Sequence, residues 1–177
     1  CVVPVDDELN IEINPHLDQH FLSNPAKLAL LIKAAGIQPG DHVVELGAGI
    51  GTVAERVPAC QSLTVIEFGI NLIPHLRKRV PEARVIQGDA LLILPTVRCD
   101  VLVSNLPSKL TSALVGLLPR LDFRVAFITA SSIDELARLR DSFALETVTV
   151  LEPDDFRPRQ AARARIVKVT RVEAHTG

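Results

Sequence analysis

Three glycines at alternate positions follow a short apolar run in the first third of the chain. The run is Val43-Val44-Glu45-Leu46, and the glycines are Gly47, Gly49 and Gly51. Branched apolar residues before a glycine cluster predict a buried strand that ends in a tight turn, and the glycines let the turn's backbone lie close to a ligand. A helix is predicted to begin at Thr52. This arrangement indicates a pocket for an adenosine-containing cofactor, so the chain is predicted to be an enzyme.

Two acidic residues follow the next two predicted strands. Glu67 ends the apolar run Leu63-Thr64-Val65-Ile66, and Asp89 follows a third run within Gln87-Gly88-Asp89-Ala90. The Glu67 carboxylate can accept hydrogen bonds from both hydroxyls of a ribose, and Asp89 can accept one from the exocyclic amine of adenine. Because ligands of parallel sheets bind at the carboxyl ends of strands, these acids are expected beside the glycine turn.

The spacing of the glycines distinguishes between the possible adenosine-containing cofactors. A dinucleotide fingerprint needs its third glycine five positions after the first, whereas Gly47, Gly49 and Gly51 give GxGxG. The sequence also contains no phosphate-binding GxxxxGK[ST] motif. Glu45 beside an uncharged turn suits a zwitterionic amino-acid tail better than a pyrophosphate. The predicted cofactor is therefore S-adenosylmethionine.

The pattern of elements predicts an α/β protein. Asn24, Pro25 and Gly36 are placed to cap, start and end a helix that includes Ala26 to Ala35, and Ser132 with Glu135 resembles a capping box. Further helices are expected at 52–57, 70–80, 111–118 and 132–143, and strands at 42–47, 63–67, 84–87, 100–104, 124–130, 145–151 and 164–172. This alternation predicts a mostly parallel, Rossmann-like seven-stranded sheet with helices on both faces and a C-terminal antiparallel hairpin.

Composition limits the possible classes of protein. The chain has 177 residues, 47% of them apolar, and a net charge of −2, which argues against strong autonomous binding to nucleic acid. No apolar run reaches the roughly 18 residues that cross a membrane. Cys1, Cys60 and Cys99 are widely spaced, which predicts reduced thiols in a cytoplasmic protein and no metal site. We expect one domain over 1–177, with an amino-terminal segment and helix at 1–36 and a core at 37–177.

Two further motifs are more specific than the glycine turn. They are Gln19-His20-Phe21-Leu22 and Asn105-Leu106-Pro107. Together with Glu45-Leu46-Gly47-Ala48-Gly49, Val65-Ile66-Glu67, Gly88-Asp89-Ala90 and Phe156-Arg157-Pro158-Arg159, they make the chain resemble the ribosomal RNA adenine N6-dimethyltransferase family. The resemblance implies a class I methyltransferase fold that binds S-adenosylmethionine and methylates an adenine amine.

The resemblance also implies roles for individual residues. Asn105 is expected between cofactor and substrate, where its side-chain oxygen and the Leu106 carbonyl accept the two N–H bonds of the amine. That contact aims the nitrogen lone pair at the methyl group, and Pro107 stiffens the loop. The implied cofactor site comprises His20, Leu22, Glu45, Gly47, Gly49, Glu67, Phe68, Asp89, Ala90 and Asn105.

The substrate side departs from the family pattern. Ser108 follows Pro107 where the family has an aromatic residue that stacks on the target adenine, and the sequence contains no tyrosine or tryptophan. Phe21 is expected to offer a replacement face, with Ser108 and Lys109 as further substrate contacts. Thr129-Ala130-Ser131-Ser132 replaces a Gln-Lys-Glu-like segment, and the chain ends soon after its last predicted strand, so only the catalytic domain is expected.

Three functions stay open on the sequence. The chain is an N-methyltransferase for adenine in ribosomal RNA, a methyltransferase of the same ancestry with a small-molecule or protein acceptor, or a non-catalytic module that keeps the cofactor pocket. Five arginines lie near the last predicted strand. They form either an RNA-binding patch or a solvent-exposed face of that strand. These arginines are Arg157, Arg159, Arg163, Arg165 and Arg171.

Overall fold

A computed structural model describes residues 19–172 and two short strand segments, 3–4 and 12–13. The rest of the predicted amino-terminal segment and residues 173–177 lie outside the described residues. The strands are β1 (Val3–Pro4), β2 (Glu12–Ile13), β3 (Phe21–Leu22), β4 (His42–Leu46), β5 (Ser62–Glu67), β6 (Arg84–Gln87), β7 (Val101–Ser104), β8 (Val125–Ala130), β9 (Phe143–Leu151), β10 (Phe156–Arg157) and β11 (Ala164–Arg171).

Seven of these strands form the central sheet, in the order β6-β5-β4-β7-β8-β11-β9. The first five in that order are parallel, and β11 pairs antiparallel with both β8 and β9. The predicted sheet and its C-terminal antiparallel hairpin are therefore confirmed. The chain runs outward from β4 through β5 to β6 and then returns to the other side of β4 as β7, so a topological switch point lies between β4 and β7.

Within the described residues, four α-helices connect or flank the strands: α1 (Pro25–Ala35), α2 (Ile73–Arg79), α3 (Ala90–Ile93) and α4 (Ser108–Leu117). The Asn24 side chain caps α1 by accepting a hydrogen bond from the amide of Ala26 at 2.9 Å, and Gly36 ends the helix with a φ of 54°. The sequence predicted both ends of this helix correctly. Single 3₁₀ segments lie at Ala54–Arg56, Ile70–Leu72, Leu94–Thr96, Leu118–Arg120, Ile133–Asp141 and Pro153–Asp155.

Side chains alternate between two apolar layers along the parallel strands. Val43 of β4 packs into one layer with Leu28 and Leu31 of α1, whereas its neighbour Val44 packs into the opposite layer with Leu114 of α4. All five side chains are at most 2% exposed. Burial on both faces explains why the parallel strands read as continuous apolar runs and not as alternating ones.

Three helix predictions were inaccurate in type or extent. The helix expected over 52–57 is only the 3₁₀ turn Ala54–Arg56, and α4 begins at Ser108, three residues before the predicted start. The segment Ile133–Asp141 is 3₁₀ and lacks the predicted capping box, because no side chain caps it at Ser132. The Glu135 carboxylate accepts a hydrogen bond from the Ser131 hydroxyl instead.

A small antiparallel pair outside the main sheet was not predicted. β3 pairs with β10, with Leu22 opposite Phe156 and Phe21 opposite Arg157. Two further bonds support the pair: the Ser23 amide donates to the Asp155 carbonyl at 2.8 Å, and the Asn24 amide side chain donates to the Asp155 carboxylate at 2.6 Å. This pairing holds the amino-terminal motif beside the carboxyl ends of the central strands.

Candidate cofactor and acceptor site

The glycine turn and the Asn105 loop meet at the topological switch point. The Gly47 amide donates to the Ile66 carbonyl of β5 at 2.9 Å, and the Asn105 amide donates to the Leu46 carbonyl of β4 at 3.0 Å. These bonds extend the strand ladders by one residue beyond the ends of β4 and β7. They bring the two motifs into contact at the switch point, where open α/β sheets bind ligands.

Glycine is required at two positions of the turn because of its surroundings. Gly47 has a φ of 68°, and a Cβ there would lie 2.7 Å from the carbonyl oxygen of Asn105. Gly49 has a φ of 59°, and its Cβ would overlap the ring of Phe21. The turn is thus enclosed between the Asn105 loop on one side and the amino-terminal motif on the other.

The Glu67 carboxylate is held by two backbone amides. Its Oε1 accepts from Gly49 at 2.8 Å and its Oε2 from Gly69 at 2.7 Å, and the residue is only 8% exposed. Desolvation by burial raises the pKa of Glu67, while the hydrogen bonds from Gly69 and Gly49 oppose the rise. Since a carboxylate oxygen has more than one lone pair, both oxygens can still accept ribose hydroxyls.

These elements surround a cavity of about 310 Å³. Its walls include most of the residues predicted for the site: His20, Phe21, Gly47, Gly49, Glu67, Phe68, Asp89, Ala90, Asn105, Leu106, Pro107 and Lys109. Three predicted residues do not line it. Leu22 and Glu45 lie behind the glycine turn, and Ser108 lines an adjoining cavity.

The far end of the cavity carries the features expected for a purine. Phe68 is 62% exposed and faces the cavity, which is unusual for a phenylalanine. Asp89 uses Oδ1 to cap α3 by accepting from the Leu91 amide at 2.9 Å. Its Oδ2 accepts no hydrogen bond from residues 19–172, so this oxygen stays available to an amine.

Glu45 does not line the cavity, although the predicted role in cofactor binding would require it to do so. It is 2% exposed and lies beneath the turn beside Thr52 and Val103, and among the described residues its Oε1 has no hydrogen-bond partner. Desolvation by burial, followed by repulsion from Glu67, raises the pKa of Glu45 to about 8. Burial therefore favours the neutral, protonated form of this carboxyl.

Sequence reasoning missed the contacts that hold the amino-terminal motif over the cavity. Gln19 is 7% exposed, and its side-chain amide exchanges hydrogen bonds of 3.4 and 3.5 Å with that of Asn71. His20 donates from Nδ1 to the Pro158 carbonyl at 3.0 Å. A Cβ on Gly69 would lie 2.6 Å from the Gln19 amide nitrogen. Gly69, two residues after Glu67, was the available signal for this close approach.

A second, smaller cavity adjoins the first across the Asn105 loop. It measures about 60 Å³ and shares His20, Asn105, Leu106 and Pro107 with the larger one. Its remaining walls are Ser108, Thr129, Ala130, Ser131, Gln160 and Ala164. None of these residues is a phenylalanine, tyrosine or tryptophan, so the second cavity is polar and lacks a large aromatic surface.

The residues of the larger cavity fit S-adenosylmethionine. The glycine turn leaves room that a Cβ would fill, Glu67 offers two oxygens for a ribose, and Phe68 with Asp89 offers a ring face and an acceptor for an adenine. Among the described residues, no cluster of histidine, cysteine, aspartate and glutamate has the arrangement of a metal site. No helix in the described part of the chain could cross a bilayer.

The basic residues near the end of the chain are largely engaged within the protein. Arg159 pairs with Asp154 at 2.7 Å and Arg163 with Glu152 at 2.8 Å. Arg171 lies 4.9 Å from the centre of the Phe123 ring and donates to the Phe123 carbonyl. Arg165 donates to the Thr147 hydroxyl at 3.3 Å. These contacts give the arginines structural roles and leave the RNA-patch interpretation a prediction.

Comparison with known proteins matches the same motifs. The ribosomal RNA adenine dimethylase family matches residues 10–119, a range that includes the amino-terminal motif, the glycine turn, Glu67, Asp89 and the Asn105 loop. A curated relative, ribosomal RNA small subunit methyltransferase A of Prosthecochloris aestuarii, is 29% identical over 110 residues. The match covers 59% of this chain and 42% of that protein, so the chain spans about two fifths of the relative's length.

Solved structures share the fold. A dimethyladenosine transferase from Plasmodium falciparum superposes with a TM-score of 0.77 at 23% identity, covering 87% of this chain and 64% of that one. A S-adenosylmethionine-dependent methyltransferase from Thiobacillus denitrificans, in complex with S-adenosyl-L-homocysteine, gives a TM-score of 0.67 at 15% identity, over 87% of this chain and 94% of that one. At these identities the likeness establishes the class I methyltransferase fold alone.

Proposed function

Since the chain belongs to the ribosomal RNA adenine dimethylase family, we propose that it is an S-adenosylmethionine-dependent N-methyltransferase whose acceptor is an adenine amine of ribosomal RNA. The observation that carries the proposal is the contact between the glycine turn and the Asn105 loop, which joins a cofactor cavity to an acceptor cavity. An acceptor in ribosomal RNA also agrees with the cytoplasmic location expected from the sequence.

The cofactor-side residues would hold the ligand by its three parts. The turn at Gly47 would lie against the methionine portion, Glu67 would accept the ribose hydroxyls, and Asp89 Oδ2 would accept from the adenine amine beside Phe68. Bound S-adenosylmethionine supplies an electrophilic methyl group on a sulfonium. Because Glu67 is already fixed by two backbone amides, it needs little rearrangement to receive the ribose.

The Asn105 loop would position the acceptor. An adenine amine is a weak nucleophile because its lone pair is delocalised into the ring. The side-chain oxygen of Asn105 and the carbonyl of Leu106 would accept its two N–H bonds and aim the lone pair across the loop toward the cofactor cavity. Positioning of this kind contributes up to roughly 7–11 kcal/mol in ideal cases.

A specific observation favours a second candidate, a methyltransferase for a small-molecule or protein amine. The acceptor cavity has hydroxyl-bearing walls at Ser108, Thr129 and Ser131 and no large aromatic side chain. Base–aromatic stacking is worth about 1–3 kcal/mol per base, so an extruded adenine would lose that contribution here. A non-planar amine would not need it.

Transfer of label from S-adenosylmethionine to an unmethylated small-subunit ribosomal RNA transcript tests the first candidate. We expect wild-type protein to label the RNA and Asn105→Ala to abolish labelling while binding S-adenosylhomocysteine in calorimetry. Gln38→Ala is the matched control, since the side-chain amide of Gln38 donates to the Gly36 carbonyl in an exposed loop before β4.

The same assay separates the alternatives. Label that appears in small molecules or protein of a cell extract, with none in RNA, would support the second candidate. Cofactor binding without any labelled acceptor would support a non-catalytic module. Failure of the wild-type protein to bind the cofactor would contradict all three.

A further inference from the structure

A chain of hydrogen bonds connects the acceptor cavity to the half-buried carboxylate of Glu135. The Ser108 and Ser131 hydroxyl oxygens lie 3.4 Å apart, and the Ser131 hydroxyl donates to Oε1 of Glu135. Both serines are exposed and line the acceptor cavity, whereas Glu135 lies behind them and does not line it. Thus Glu135 can act on the cavity only through the serines.

Counting protons fixes the direction of this chain. Ser131 has one hydroxyl hydrogen and gives it to the Glu135 carboxylate, so it can only accept from Ser108. Ser108 then gives its own hydrogen to Ser131 and presents lone pairs to the cavity. Ser108 is therefore oriented to accept a hydrogen bond from an N–H group at the end of the Asn105 loop.

Glu135 retains an unused capacity to accept a proton. Its second oxygen, Oε2, is buried and has no hydrogen-bond partner among the described residues. The neighbouring arginine, Arg138, instead donates to the Ser112 carbonyl at 3.3 Å. Arg138 therefore does not occupy Oε2, which stays able to accept a hydrogen bond.

We propose that Ser108, Ser131 and Glu135 form a relay that stabilises and deprotonates the methylated amine. This inference rests on the proposed N-methyl transfer and assigns functions to residues outside the Asn105 motif. As the nitrogen–methyl bond forms, the carbon–sulfur bond breaks and its electron pair stays on sulfur, so the nitrogen becomes an ammonium. Positive charge therefore develops where Ser108 presents its lone pairs.

The proton then leaves through the relay with all atoms accounted for. After the transfer, one of the two N–H bonds of the ammonium turns from the Leu106 carbonyl to Ser108 Oγ and gives it the proton. Ser108 gives its own hydrogen to Ser131 Oγ, and Ser131 gives its hydrogen to Glu135. The amine becomes neutral, both serines return to their starting protonation state, and Glu135 becomes a carboxylic acid that later releases the proton to water. Ser108 is the catalytic residue of this step, and Glu135 is a positioning and proton-accepting residue that acts through it.

Glu135→Gln and two Ser131 variants test the relay on the full chain. The Gln oxygen can still accept from Ser131 but cannot take the proton, so kcat for labelling the ribosomal RNA transcript is expected to fall about tenfold or more with little change in KM. Ser131→Ala should have a similar effect, and Ser131→Thr, which keeps the hydroxyl, should restore activity. Asp134→Asn changes an exposed acid on the same 3₁₀ segment and should match wild type.

A double variant and two binding measurements complete the test. Ser108→Ala combined with Glu135→Gln should be no slower than Ser108→Ala alone, because Glu135 acts through Ser108. The melting temperature and calorimetric affinity for S-adenosylhomocysteine should be unchanged in every variant. Wild-type kcat in Glu135→Gln, additive losses in the double variant, or lost cofactor affinity would overturn the relay alone. A wild-type protein that labels no acceptor would overturn the proposed function and the relay with it.

Discussion

The carboxylate of Glu67 at the end of β5 accepts a hydrogen bond of 2.8 Å from the amide of Gly49 in the turn after β4. Its other oxygen accepts from Gly69 at 2.7 Å. A single side chain therefore shapes the turn and faces the cavity that the turn borders. Loss of cofactor binding on changing Glu67 would combine a missing ribose contact with a distorted turn.

Glu67→Gln separates charge from shape at this position. A glutamine has only one accepting oxygen, so it turns an NH₂ group toward one of the two backbone amides and leaves it unpaired. An unpaired buried group costs about 1–3 kcal/mol, so we expect calorimetric affinity for S-adenosylhomocysteine to fall at least about tenfold and the melting temperature to drop. Glu82→Gln, a change of an exposed acid, should alter neither measurement. Unchanged affinity in Glu67→Gln would contradict the assigned role.

The sequence predicted the cofactor side of the site well because that side depends on local signals. Each motif comes within two residues of the end of a parallel strand, and the carboxyl ends of such strands meet at one edge. Gly47, Glu67 and Asp89 therefore came together as expected. All seven strands of the main sheet were placed within about two residues, since their branched apolar runs are bounded by turns and polar residues.

The parts that sequence reasoning missed depend on contacts between distant segments. The pairing of β3 with β10 joins residues about 135 positions apart, and two-residue strands carry no periodic signal. A local exception is the hydrogen bond from Ser131 to Glu135, four residues apart, where the sequence pattern instead suggested a helix cap at Ser132. The contact between Ser131 and Ser108, 23 residues apart, depends on tertiary packing and not on local spacing.

Substitutions at three glycines separate backbone strain from steric overlap. Gly40 has an ordinary backbone conformation and open space around its Cβ position, so Gly40→Ala should resemble wild type. Gly36 also has open space but a φ of 54°, so Gly36→Ala should lower stability by about 1–2 kcal/mol. Gly49→Ala adds overlap with Phe21 to a φ of 59° and should lose more.

Cofactor affinity distinguishes the third glycine from the other two. We expect only Gly49→Ala to weaken binding of S-adenosylhomocysteine, because displacing Phe21 moves the wall of the cavity. Urea unfolding and calorimetry on the three variants measure both quantities. Equal affinities in all three would show that Phe21 can move aside without reshaping the cavity.

The buried carboxyl of Glu45 should make the stability of the cofactor-free protein fall as pH rises. Burial raises the pKa of Glu45 to about 8, above an unfolded value near 4.3. Between these values the folded state binds more protons than the unfolded state, so the free energy of unfolding decreases with increasing pH. The stabilising difference is fully present below about pH 4 and is lost as pH rises to about 8.

Glu45→Gln removes this contribution to the pH dependence, because the amide stays neutral. The variant should unfold at a higher temperature than wild type at pH 8, and the advantage should shrink steadily toward pH 5. Glu67 also has a raised pKa and stays in both proteins, so the measurement is the difference between them at each pH. A constant difference across this range would show that Glu45 ionises normally.

An ion pair at the opposite end of the sheet should make the free energy of unfolding increase with pH, the reverse of the effect of Glu45. Arg124 donates to both carboxylate oxygens of Asp41, at 2.6 and 2.8 Å. The backbone amide of Gln38 donates to the same carboxylate at 2.8 Å. The Arg124 hydrogen bond lowers the pKa of Asp41 to about 2, although burial opposes the shift. The Asp41 side chain is 7% exposed, whereas that of Arg124 is 52% exposed, so solvent screens part of the interaction.

Asp41→Asn tests the contribution of this pair to stability. Because the folded pKa is depressed, the stabilisation is present above the unfolded value near 3.9 and is lost as pH falls to about 2. We expect the variant to lose about 1–2 kcal/mol at pH 7, and urea unfolding should show this gap closing between pH 4 and pH 2. Asp122→Asn, a change of an exposed acid before β8, serves as the control and should follow wild type throughout. A gap that persisted below the folded pKa of about 2 would assign the loss to packing around Asp41, since both proteins are then neutral at this position.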